Sequence, residues 1–289
     1  MDLSLLIIAV GSAVTYAASN IAARLGLKHS TPITMICVSF ATQTITLWAA
    51  VFLTGGIPEV APTAVFLFAI VGVFMPLIRF LTYTGIAKIG AARSASLRST
   101  YPLFSAIVAI MFLHEEATRI VILGTVLVVV GVFLISWQPE NRFLPTRRWY
   151  VLFPLAAAIL AGVVHPISRY ALGISKQPIF FAALVGVVSL ATYLGYLSLP
   201  WTRLRPLWDR KALRPFIMAA LLETSGFLLL TIALSVGHVV LVTPIVATSP
   251  MWVLLWMTLI ARDLERVHYR TILGTCLVVS GTVAISLGG

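Results

Sequence analysis

Along the chain, apolar residues run in blocks of about twenty, not in one-sided stripes or in strict alternation. A block of that length spans the ~30 Å hydrocarbon core of a bilayer at about 1.5 Å per residue, so each block predicts a membrane-crossing helix. Ten such blocks can be read: 3–23, 32–54, 62–85, 92–113, 119–137, 149–170, 179–199, 214–235, 240–261 and 269–287. Barrel strands would be about half as long, and lipid offers no partner to an open backbone, which leaves helix as the predicted state. The first block has no basic flank at Met1-Asp2 and is too long for a signal-peptide core, so it reads as an uncleaved helix.

Composition narrows the class further. The 289 residues are 60% hydrophobic and 10% charged, with a mean hydropathy of +1.04. Soluble domains carry roughly 25% charged residues. A soluble globule could not cover this much apolar surface, which excludes a soluble enzyme, a disordered chain and a disulfide scaffold. The net charge of +11 lies mostly between the apolar blocks, with no recognition motif beside it, so nucleic acid is not an expected partner. Cys37 and Cys276 sit inside apolar blocks without metal-ligand spacing, and neither a metal nor a cofactor is expected. The polar stretches Gln138–Arg148 and Thr202–Arg214 are too short to fold as domains, and no GxxxxGK[ST] loop occurs. An ATP-driven pump within this chain is excluded.

The chain repeats itself. Residues 122–136 read ILGTVLVVVGVFLIS and 272–286 read ILGTCLVVSGTVAIS, identical at ten of fifteen positions. Weaker matches keep the same order upstream: Thr100-Tyr-Pro102 with Thr248-Ser-Pro250, Ile86-Ala87 with Ile232-Ala233, and Pro32-Ile33 with Pro178-Ile179. The expected organisation is therefore residues 1–138 as one five-helix unit, 139–148 as linker and 149–289 as the second unit. Five crossings per unit force the second to enter from the opposite side. The expected fold is an all-α membrane protein of ten transmembrane helices in two inverted repeats, a plan recurrent in transporters. Most Lys and Arg, among them Arg24, Lys28, Lys211, Arg214 and Arg266, fall on one predicted side, which positive-inside bias makes cytoplasmic, with both termini outward.

Several motifs carry a family resemblance. They are the small-residue turn after the third span of each half (Lys88-Ile-Gly-Ala-Ala-Arg93; Ser235-Val-Gly-His238) and the proline of the fourth (Pro102, Pro250). An acidic stretch follows (His114-Glu115-Glu116; Arg262-Asp263), then two glycines seven apart in the fifth span (Gly124/Gly131; Gly274/Gly281). The chain resembles the drug/metabolite transporter superfamily, specifically its ten-helix EamA branch. The resemblance covers essentially the whole chain. It implies an inner-membrane exporter of amino acids and related metabolites, and it implies no particular substrate. The paired glycines share a helix face and are expected to pack helices closely, the fifth span against the tenth or across a homodimer; monomer and homodimer both remain open.

Ionisable residues at membrane depth are the candidate chemistry, because the bilayer centre penalises a charge by about 2.5–3.5 kcal/mol unless it faces a cavity or a partner. Glu223, Arg98 and Arg79 fall in one half of the predicted membrane, and Glu223 is expected to pair with Arg79 or Arg98. Arginine can hold a carboxylate or phosphate, and the glutamate an amine or a proton. The competing bland readings are a structural ion pair and snorkelling of Arg79. Asn20 and Tyr16, on one face of the first span, and Tyr101 are candidate wall residues. Pro76, Pro102 and Pro250 are expected to bend helices or act as hinges, as is Pro244. His165 (with Arg169) and His238 are gate candidates or ordinary interface residues.

Three readings stand. The first is a secondary transporter exporting a small polar metabolite, an amino acid by the resemblance. The second is a carrier of anionic or phosphorylated compounds, lipid-linked ones included. The third is a non-transporting membrane partner, which predicts an apolar centre. An enzyme is not expected: HExxH, GxSxG and paired aspartates at depth are all missing.

Overall fold

The structure is a computed structural model that describes residues 3–113, 119–136, 147–199, 205–237, 239–259 and 268–288. The described residues are mostly helical and contain no strand. In chain order the helices are α1 (Leu3–Gly26), α2 (Pro32–Leu53), α3 (Pro62–Ile89), α4 (Ala91–Arg98), α5 (Tyr101–Leu113) and α6 (Arg119–Ser136). A 3₁₀ turn at Arg148–Val151 leads to α7 (Leu152–Ile174), followed by α8 (Pro178–Ser198), α9 (Arg210–Val236), α10 (Val239–Val246), α11 (Ser249–Leu259) and α12 (Tyr269–Gly288). Local chemistry sets several boundaries. Proline occupies the first turn of α2, α3 and α8, where its missing N–H costs nothing. The Asp209 side chain caps α9 by accepting from the Lys211 amide at 2.8 Å. Gly90, at φ +89°, turns the chain between α3 and α4.

Among the described residues, six helices are long and apolar enough to cross a membrane: α1, α2, α3, α7 with its leading turn, α8 and α9. Two of the expected spans differ from single helices. The stretch 92–113 is divided into α4 and α5, and 240–261 into α10 and α11, with two-residue breaks at Ser99–Thr100 and Ala247–Thr248. Pro102 and Pro250 explain both. A continuous helix would need their N–H groups for the carbonyls of Arg98 and Val246, so each first piece ends there and each second piece begins with proline in its first turn. The linker 139–148 lies largely outside the described residues.

Helices of the two halves pack antiparallel: α6 with its repeat counterpart α12, α2 with its counterpart α8, and α1 with α9, the counterpart of α3. Between α6 and α12, Gly131 lies against the Gly274 carbonyl and Gly281 against the Gly124 carbonyl; a Cβ at either glycine would sit 2.7 or 2.6 Å from that oxygen. The contacts are reciprocal, early residues meeting late ones. Between α1 and α9, the Ser12 hydroxyl donates to the Gly226 carbonyl (2.8 Å) and the Ser19 hydroxyl to that of Ala219 (2.9 Å). Between α2 and α8, Tyr193 donates to the Ile33 carbonyl at one end (2.7 Å), while Trp48 meets Phe180 edge-on at the other.

Prolines inside helices leave a carbonyl free one turn earlier, and two of these carbonyls are claimed by serines of the other half. Pro76 in α3 frees Gly72, whose carbonyl accepts from Ser189 of α8 (2.8 Å). Pro166 in α7 frees Gly162, whose carbonyl accepts from Ser105 of α5 (3.1 Å). Helix ends are treated with equal symmetry. Arg24 of α1 donates to the Ala87 carbonyl at the end of α3 (3.1 Å), and Arg169 of α7 to the Leu234 carbonyl near the end of α9 (2.7 Å). A cation there satisfies orphan carbonyls and opposes the negative end of the helix dipole. Arg24 and Arg93, read from the sequence as loop charges, are both buried.

Candidate functional site

The centre of the molecule is polar. Arg79, on α3, is 3% exposed, which removes the snorkelling reading. Its guanidinium donates to the Ser39 hydroxyl (2.5 Å) and to the Gln43 side-chain oxygen, both on α2, and its carbon lies 4.1 Å over the Phe40 ring. Its Nε stands 3.5 Å from Glu223 Oε1 on α9, an ion pair rather than a hydrogen bond. The second carboxylate oxygen, Oε2, accepts from the Ser39 hydroxyl (2.7 Å) and from the Tyr83 hydroxyl of α3. Donors and acceptors balance if Glu223 is ionised: arginine gives to serine, and serine and tyrosine give to the carboxylate. The network joins α2 and α3 of the first half to α9 of the second. Of the two pairings the sequence left open, the structure has Arg79 with Glu223.

Sequence reasoning missed Ser39, Gln43 and Tyr83. A signal existed for two of them: Ser39 and Gln43 lie four apart on one face of an otherwise apolar block, where polar groups usually bond to other helices. Tyr83, one turn after Arg79, had no distinguishing pattern.

Arg98 ends α4, at the break. Its guanidinium carbon lies 5.8 Å from the centroid of the Tyr16 ring on α1. Tyr16, Tyr101 and His165 all lie within its electrostatic reach, and Tyr16 is also within reach of Arg79 and Glu223. Tyr101 opens α5 and donates to the Thr243 carbonyl of α10 (2.7 Å), tying one broken span to the other. Its ring meets that of His165 edge-on at 4.8 Å. His165 Nδ1 and Arg98 Nε are buried without hydrogen-bond partners. His165 therefore belongs to this central group and not to a lipid interface. Asn20 is half-buried one turn from Tyr16, on the same face of α1. Pro102 and Pro250 sit at the two breaks, and Pro76 lies mid-helix with its freed carbonyl already taken by Ser189. The Pro244 side chain, His238 and the acidic stretches 114–116 and 262–263 lie outside the described residues. Among the described residues, no group of three His, Cys, Asp or Glu could hold a metal ion.

The two halves of this helical protein pack antiparallel around buried charged and hydroxyl groups. The chain belongs to the EamA-like transporter family, whose model matches it twice, over residues 3–137 and 148–287. It is a multi-pass membrane transporter of the drug/metabolite type. A crystal structure of another protein aligns with 99% of this chain and 98% of its own at a TM-score of 0.67 and 13% identity, and so shares the fold. No curated protein matches the chain.

Proposed function

We propose that the protein is a ten-span, inverted-repeat secondary transporter of the inner membrane that exports a small polar metabolite, an amino acid, by alternating access. The observation that carries this reading is the Arg79–Glu223 network, which is buried at the crossing of the two halves and built from both. A change in how the halves meet must remake these bonds, so a solute that competes for them couples its own binding to the opening of one side or the other. Glu223 Oε2 is saturated by two hydroxyls. Oε1 has only the long Arg79 approach and remains free to accept from a substrate ammonium or to take a coupling proton. Export and the amino-acid class rest on the family resemblance.

A non-transporting partner protein would call for an apolar centre, against which the buried network argues. A carrier of anionic or phosphorylated compounds is favoured by one specific observation, the second arginine at depth, Arg98.

Counterflow in proteoliposomes tests the reading. Protein loaded with an amino-acid mixture is expected to accelerate entry of labelled members, and Glu223→Gln to abolish it or to remove its pH response. Unchanged counterflow with an unchanged pH response would remove Glu223 from the mechanism.

A further inference from the structure

We infer that Arg98 is a carboxylate subsite, so that the transported solute presents a carboxylate group to the break in the fourth span. The inference rests on the transporter reading and names the substrate chemistry at its site.

Glu223 is the only carboxylate within the described helices, whereas Arg79 and Arg98 both lie among them. Glu223 is committed to Arg79. Arg98 therefore has no anionic partner among the described residues, and its Nε makes no hydrogen bond although buried. An uncompensated guanidinium at such depth is costly and persists where an anion visits it. The surroundings fit that visitor. Half-buried Arg98 is flanked by the Tyr16 ring, and His165 nearby carries a buried Nδ1 that also lacks a partner. The break after α4 adds the N-terminal end of α5, whose first-turn N–H groups favour negative charge.

One free cation matches a monoanion better than a phosphate dianion, which would ask for Arg79 as well. The planar guanidinium fork also matches a carboxylate through two parallel hydrogen bonds. Tyr16 lies within electrostatic reach of Arg98 and Glu223 alike. An α-amino acid could thus place its carboxylate at Arg98 and its ammonium toward Glu223 Oε1.

Ligand-induced stabilisation of the purified protein in lipid nanodiscs is the test. The probes are an equimolar mixture of amino acids, the corresponding amino-acid amides, and inorganic phosphate. The amino acids are expected to raise the melting temperature and the amides not to. Arg98→Gln should weaken the response roughly tenfold or more, as loss of a charged hydrogen-bonding partner does. Arg98→Lys should recover part of it, because charge returns without the fork. Glu223→Gln should still respond to the carboxylate. The inference is overturned if amides stabilise equally, if Arg98→Gln responds like the wild type, if phosphate alone acts through Arg98, or if no probe stabilises a folded protein. Carboxylate binding without counterflow in proteoliposomes would instead overturn the transporter reading and leave the subsite standing.

Discussion

Gly131 of α6 rests directly on the carbonyl of Gly274 of α12, and Gly281 rests on Gly124 in the mirrored arrangement. Each first-half glycine has its own repeat equivalent as the partner of the other. That reciprocity identifies the α6–α12 seam as a two-fold contact at which backbone meets backbone. Membrane helices lack a hydrophobic drive to associate, so close approach of this kind supplies much of their attraction.

Gly131→Ala and Gly281→Ala are each expected to destabilise the protein by about 1–3 kcal/mol, since the added carbon meets backbone that cannot swing aside. Gly173→Ala and Gly195→Ala, where nothing lies within 4 Å, should be close to neutral. Detergent-titrated unfolding of the four variants checks the contrast.

Removing one partner of the Arg79–Glu223 pair leaves the other charge buried and alone. Arg79→Met or Glu223→Leu is expected to cost about 3–5 kcal/mol, and the double variant distinctly less than the sum. An additive double-mutant cycle in unfolding experiments would show that the 3.5 Å approach contributes no coupling. Transport should be lost in all three variants.

Ser189 supplies the Gly72 carbonyl with the hydrogen bond that Pro76 cannot. Ser189→Ala is expected to cost about 1 kcal/mol in the native background. In a Pro76→Ala background the restored N–H at position 76 serves that carbonyl, and the same serine substitution should cost little. Equal losses in both backgrounds would contradict this account. Ser105 with Pro166 offers the same comparison.

Hydrogen bonds also group the loops by side. Ser30 donates to the Leu207 carbonyl (2.6 Å) at one end of the molecule, and the Ala61 amide donates to Ser175 (3.1 Å) at the other. The basic end is expected to face the cytoplasm. Single cysteines at Lys28 and Lys211, in a background lacking Cys37 and Cys276, should react with a membrane-impermeant maleimide only in inside-out vesicles. Cysteines at Glu59 and Lys176 should react only in right-side-out ones. The opposite pattern would invert the assigned orientation.

Much of this architecture was readable from residue order. Apolar block length marked the helices, the offset of 150 between ILGT segments marked the two halves, and Glu223, Arg79 and Arg98 stood out because lipid rejects charge. Ser105 and Ser189 were not readable. Both are unremarkable in apolar sequence, and their importance comes only from what a neighbouring helix places opposite them. Arg24 and Arg169 likewise read as loop and interface charges until the ends of α3 and α9 arrive beside them.

The sequence by itself determined that the chain is helical and membrane-embedded, and that it is duplicated and carries an excess of positive charge at depth. Each of these follows from local composition or from comparing the chain with itself. Only the tertiary structure decided which arginine Glu223 would neutralise. Arg79 and Arg98 are alike in type and in predicted depth. The choice depended on α2 bringing Ser39 and Gln43 to Arg79, while the break before Pro102 turned Arg98 toward Tyr16. Pairing across helices is set by packing angles and helix breaks that side-chain periodicity does not encode, and that is why the free charge, and with it the expected substrate chemistry, emerged only from the assembled fold.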